Sequence, residues 1–229
     1  MKVLFYFISL IPKSFIVVLI DTYIYLKIYK FFNSYKVTKV NLKIAYPDLN
    51  IDNIEQLTKL SIRESLISVY ETFYTWGRNH ITTCSKIFKV KNNFLLKSKY
   101  KEGKGLIAVS IHNRSVDMLL KWINSQITTV SLYKRVKNIH LDRFVKRNRE
   151  HNGALCYETS MLGVRNVLKA LNNKKAVCFV ADQVPKRGMG EYLNFYGRDA
   201  YSTTLVQSLA VKTNAIVMYL YINSTPANF

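Results

Sequence analysis

Two hydrophobic textures divide the chain. Over residues 51–76 the apolar positions Ile54, Leu57, Leu60, Ile62, Leu66, Val69, Phe73 and Trp76 recur at steps of two to four. That spacing predicts an amphipathic helix, and Asp52 is a candidate cap at its start. After Gly103-Lys104-Gly105 short apolar runs alternate with helical patterns. Candidate strands are 106–111, 127–132, 176–181 and 215–222, with helices predicted over 116–123, 139–149, 162–171 and 203–212. This alternation predicts an α/β fold. Most of the strands lack polar alternation, so a central, mostly parallel sheet covered by helices is expected. Between Cys84 and Lys104, seven lysines and one glutamate predict a solvated, loop-rich region.

The first 32 residues are aromatic or aliphatic almost throughout, with Lys2, Pro12, Lys13, Asp21, Lys27 and Lys30 as the interruptions. They predict an N-terminal hydrophobic membrane-anchor helix. A clean span needs ~20 apolar residues, and Pro12-Lys13 breaks the run midway, so a tilted span, a kinked span and an interfacial helix all stay open, beside a buried core helix. No small-residue cleavage site follows, which argues against a secretory signal. Lys36, Lys39 and Lys43 come next, and the positive-inside bias places such a flank in the cytoplasm. With no repeat, low-complexity tract or linker, the division expected is an anchor with basic flank over 1–40 and a single domain over 41–229.

Charge narrows the partners. The 229 residues carry 34 Lys+Arg against 14 Asp+Glu, a formal net charge of +20, with 49% hydrophobic residues. That apolar content excludes disorder, and the charge suits a polyanion: nucleic acid, anionic lipid or an acidic protein. There is no zinc-ligand spacing, aromatic RNA-binding motif or helix-turn-helix pattern, so no nucleic-acid partner is expected. Cys84, Cys156 and Cys178 form no CxxC and no plausible disulfide framework. His80, His112, His140 and His151 have no metal-ligand spacing, and neither a metal nor a cofactor is expected.

Three constellations carry candidate chemistry. In IHNRSVD a buried strand hands over to a helix, placing His112 in the turn and Asp117 in the first helical turn. An imidazole oriented by that carboxylate is a general base; the alternative is that Asp117 complements the helix dipole and His112 is a satisfied turn residue. Asp182 and Gln183 stand at the carboxyl end of the 176–181 strand, where sites collect in open α/β sheets, although a plain connecting loop has the same look. The run 134–150 presents Arg143, Lys146, Arg147 and Arg149, either as a solvated face or as a phosphate holder beside a pocket.

Taken in order, five segments carry a resemblance: NLKIAYPDLN, GKGLIAVSIHNRSVD, SLYKRVKN with LDRFVKRNREHNG, LKALNNKKAVCFVADQV, and LNFYGRDAYSTT. Over about residues 41–222 the chain resembles the lysophospholipid acyltransferase superfamily, and within it the bacterial lipid A late acyltransferases that transfer lauroyl and myristoyl groups. The resemblance places a catalytic dyad on His112 and Asp117, in an HxxxxD box, with Arg149, Arg147, Asp182 and Gln183 as substrate-binding residues. It implies acyl transfer from acyl carrier protein to a hydroxyl of an anionic glycolipid, at the cytoplasmic side of the inner membrane. Two residues depart from the pattern: Asp117 stands where the lipid A branch more often has Glu, and Val184 where it has a second Asp. The resemblance also implies a further C-terminal helical region with a basic motif, which is absent before Phe229. An inactive truncated member and an enzyme with a phospholipid-type acceptor are the alternatives.

Overall fold

A computed structural model describes residues 2–225; the outer limits of the expected 1–40 and 41–229 segments, and the chain end at Phe229, fall outside the described residues. The apolar N-terminal run forms two helices, α1 (Lys2–Leu10) and α2 (Lys13–Tyr25). Pro12 has no N–H to continue α1 and its ring collides with the preceding turn, and the axes bend by 87° at the break. Among the described residues no single helix is long and apolar enough to cross a membrane, while the bent pair passes that test when taken together. The single anchor helix expected here is therefore not what forms. Each half of the pair buries one face, through Phe5, Val17 and Ile24, and leaves Leu4, Phe7, Phe15, Val18 and Leu19 exposed.

A 3₁₀ turn (Ile28–Phe31) and α3 (Asn33–Ala45) lead into α4 (Ile51–Gly77), the predicted amphipathic helix, against which α1, α2 and α3 all pack. Its cap is Asn50, whose side chain accepts from Asn53 N–H; Asp52 sits in the first turn, where it favours the dipole. Gly77 admits α1: a Cβ there would stand 2.1 Å from the Phe5 carbonyl oxygen. Phe5 then packs against Phe73, Trp76 and Phe144 with ring centroids 5.3, 5.3 and 5.2 Å away. Lys13 of α2 reaches Glu71 of α4 at 2.8 Å in a buried ion pair, and Lys13 also donates to the Thr225 carbonyl.

Beyond α5 (His80–Cys84), the lysine-rich stretch read as loop-rich contains α6 (Asn93–Lys101). Only Leu96 of α6 is buried, so its apolar stripe is too thin to register as a period. The remaining elements follow in the expected alternation. They run β1 (Leu106–Ser110), α7 (Val116–Gln126), β2 (Thr129–Tyr133), α8 (Ile139–Arg149), β3 (Leu155–Glu158), α9 (Met161–Asn172) and β4 (Ala176–Val180). A hairpin of β5 (Gly190–Phe195) and β6 (Arg198–Thr203), then α10 (Leu205–Thr213) and β7 (Ile216–Tyr219), complete it.

Five of these strands form one parallel sheet in the order β3-β2-β4-β1-β7. Successive residues of a strand point to opposite faces, so β1 contributes Ile107 and Val109 to one core and Leu106 and Ala108 to the other. α9 and α10 cover the first face, α6 and α7 the second. The hairpin is a separate two-stranded sheet, closed by Tyr196 and Gly197 at φ 53° and 71°, the pair of positive φ values that a tight two-residue hairpin turn requires.

Candidate functional site

The register of the sheet creates the site. Ser110 of β1 pairs with Val180 of β4, and the Ala181 N–H donates to the Ser110 carbonyl at 3.0 Å. Two residues beyond each of these positions come His112 and Asp182, so the pairing that builds the core also sets these side chains together at the carboxyl edge of the strands. The Asp182 carboxylate accepts the main-chain N–H of His112 at 2.7 Å and lies 2.7 Å from its Nδ1.

With Nδ1–H committed to a carboxylate, the lone pair of the neutral imidazole resides on Nε2. That nitrogen faces the Gln183 amide nitrogen at 3.4 Å, and the His112 side chain is 45% exposed. Partial burial pushes the Asp182 carboxyl upward, but the hydrogen bonds from His112 outweigh it and hold the group below the ordinary aspartate value. The result is an imidazole of fixed tautomer whose basic nitrogen opens outward, suited to taking a proton from a hydroxyl.

The loop from His112 to α7 is anchored from several directions. Asn113 donates to the Ile222 carbonyl, and Arg114 pairs with Glu64 of α4. Ser115 caps α7 by accepting the Met118 N–H. Asp117, in the first turn, is buried and has both oxygens engaged by Arg149, Nε to Oδ1 at 2.6 Å and Nη2 to Oδ2 at 3.1 Å. Burial works against the guanidinium charge, yet Asp117 more than compensates and raises the Arg149 pKa. In place of the single expected pairing of His112 with Asp117, the structure presents two pairs, His112–Asp182 and Asp117–Arg149.

Gln183 stands beside the imidazole, as its place next to Asp182 implied. Arg147 does not join this group. Two positions along a helix turn by about 200°, so while Arg149 meets Asp117, Arg147 lines a cavity on another side of α8. The three thiols are poor nucleophiles: burial pushes Cys178 up to about 12 and raises Cys156 and Cys84 as well. Among the described residues no group of three or more His, Cys, Asp or Glu could hold a metal ion.

Lys121 was not singled out by sequence. It is buried one turn after Asp117 on α7, donates to the main-chain carbonyls of Thr75 and Arg78, and is brought down to about 8 by desolvation. The one available signal was its i, i+4 spacing from Asp117, which sets both residues on one face of the helix.

A family model described as bacterial lipid A biosynthesis acyltransferase matches residues 2–226. No curated protein sequence matches the chain.

Proposed function

Because the chain belongs to the bacterial lipid A biosynthesis acyltransferase family, we propose that it moves a fatty acyl group from a thioester, carried by acyl carrier protein, to a hydroxyl of a lipid A precursor or similar glycolipid. The observation that carries this reading is the His112 imidazole, held at Nδ1 by Asp182 with Nε2 facing outward. Nε2 removes the hydroxyl proton as the oxygen attacks the thioester carbonyl carbon. When the tetrahedral intermediate collapses, the C–S bond breaks and the imidazolium returns the proton to the leaving thiolate. Ester and thiol are the products, and no covalent acyl-enzyme forms. Such a general base contributes typically ~10²–10⁴-fold. The carboxylate of Asp182 stabilises the imidazolium and keeps its tautomer. Asp117 and Arg149 position the first turn of α7, whose positive end lies at the same edge and favours the developing oxyanion.

In this proposal the bent pair α1–α2 lies in the cytoplasmic interface of the inner membrane. Its exposed Phe7, Phe15, Val18 and Leu19 enter the acyl region, and Lys36 and Lys43 meet anionic headgroups, while Lys39 is held by Glu55 at 2.7 Å. The net charge of +20 favours an acidic carrier protein and a phosphorylated acceptor alike. The test is acyl transfer by the purified full chain, in vesicles containing a lipid A precursor and supplied with acylated carrier protein. Activity that disappears in His112→Ala, with an unchanged thermal midpoint, supports the reading; full activity in that variant removes it.

A further inference from the structure

We propose that the cavity between the start of α1, the α4–α5 corner and α8 is an anion site that binds a phosphate monoester, separately from the His112 edge. The cavity measures about 610 Å³, room for a phosphate and part of the molecule that bears it. α8 supplies one wall through His140, Arg143 and Arg147, successive positions three to four residues apart and therefore on a single helical face. Lys2, Arg78 and Lys121 close the other sides. Five cationic side chains and three imidazoles thus line one cavity, and no carboxylate is among the described residues that line it. The acid that influences Lys121 most is Asp117, whose oxygens are already engaged by Arg149.

Like charges converge at a site only when something of the opposite sign offsets their repulsion. Lys2, Arg143 and Arg147 are exposed and can swing apart into water. Lys121 cannot, because it is buried and fixed by two carbonyls.

A second observation points the same way. Trp76, Arg78 and His151 line this cavity, and their Nε1, Nε and Nε2 atoms are buried nitrogens with no hydrogen-bond partner among the described residues. Unsatisfied buried polar atoms are uncommon in folded proteins and call for a partner. Two of these three are donors only, so the partner they need is an acceptor. His151 bonds the Asn148 carbonyl through Nδ1 at 3.2 Å, which leaves Nε2 able to donate once the ring is protonated. Its ring lies 4.8 Å from that of His80. Burial and neighbouring cations keep both imidazoles below their ordinary pKa. A dianion in the cavity supplies the missing negative charge and the acceptor oxygens together.

The anion can arrive on a lipid headgroup or on a soluble molecule; the chemistry recognised is the same. The test uses the full chain and reads the imidazole resonances of His80 and His151 by NMR during titration with inorganic phosphate. Saturable shifts in both rings are expected. Binding should weaken about tenfold or more in Arg143→Gln/Arg147→Gln, which removes two charge-assisted contacts. It should be unchanged in Lys97→Gln/Lys169→Gln, which removes the same charge from exposed positions elsewhere. Thermal midpoints establish that both variants fold. A parallel titration with nanodiscs of phosphatidylcholine, with and without phosphatidic acid, assigns the source: shifts only with phosphatidic acid, reversed by inorganic phosphate, identify a lipid phosphate, and shifts with free phosphate alone identify a soluble one. Absence of saturable shifts with either probe, or equal weakening in the two variants, overturns the proposal. None of these readouts depends on acyl transfer, so failure here is distinguishable from failure of the catalytic reading.

Discussion

Asp182 grips His112 twice, through the main-chain N–H and through Nδ1, each at 2.7 Å. The ring is thereby fixed in position as well as in tautomer. Replacing the carboxylate by an amide keeps the shape but loses the charge that stabilises an imidazolium. Asp182→Asn is expected to lower kcat by ~10²–10⁴-fold with KM little changed. Steady-state kinetics on the full chain checks this, and a kcat within a factor of a few of the parent would dissociate Asp182 from the base.

Asp117 is expected to behave differently. Asp117→Ala leaves the Arg149 guanidinium largely buried without its counter-charge, a loss of about 3 kcal/mol in folding stability, read from urea midpoints. Adding Arg149→Met removes the orphaned charge and should restore most of the stability. If the double variant regains stability and activity together, Asp117 acts by positioning; if it regains only stability, the carboxylate takes part in the chemistry itself.

The pH dependence of stability has two distinct arms. Asp182 is held below its ordinary value by its hydrogen bonds to His112, against the opposing effect of burial. Its contribution is therefore present above the unfolded aspartate pKa and is lost as pH falls through the lower folded value. Lys121 goes the other way. It releases its proton at about 8 in the folded chain and at 10.5 when unfolded. Between those values the unfolded chain holds more protons, and stability rises with pH, by about 3 kcal/mol in total. Comparing parent and Lys121→Met from pH 7 to 11 isolates this arm; parallel curves would contradict it.

Gly77→Ala is expected to separate α1 from α4, because the added methyl meets the Phe5 carbonyl oxygen at 2.1 Å. Overpacking against backbone has no cheap relaxation, and a loss of about 2 kcal/mol is expected. Thermal unfolding measures it, and tryptophan emission reports whether Trp76 has lost its contact with Phe5.

Membrane docking through the bent pair predicts that Phe7→Asp and Phe15→Asp each weaken vesicle binding about tenfold or more, since burying one such ring contributes about 1.5–3 kcal/mol. Both rings are exposed, so the folded state should keep its thermal midpoint. Co-sedimentation with anionic vesicles is the measurement, and unaltered partitioning in both variants would place the contact elsewhere.

The sheet was legible where burial is complete. The four strands named from apolar runs include β1 and β4, and the helix over 139–149 coincides with α8. β3 escaped notice because Leu155, Tyr157 and Glu158 are not buried at the sheet edge, so its four residues carry no continuous apolar run. The hairpin is not among the candidate strands because none of its residues is buried, so its alternation has no buried side to reveal it. Among site residues, the types were readable and the pairing was not. His112, Asp117, Arg149 and Asp182 all stood out by position, but spacing within one segment left the pairing of His112 with Asp117 open, and only the resemblance joined the two in one box. The partner came from 70 residues away, through a strand adjacency that no local pattern encodes.

Dependence on that adjacency has a further consequence. Sliding β4 by one residue against β1 would displace Asp182 by about 3.3 Å and turn its side chain to the opposite surface, leaving Ala181 or Gln183 across from His112. Turnover would then register how faithfully the strands have aligned, so a misassembled fraction that passes every spectroscopic check of secondary structure would still betray itself as missing active molecules in a titration of competent sites.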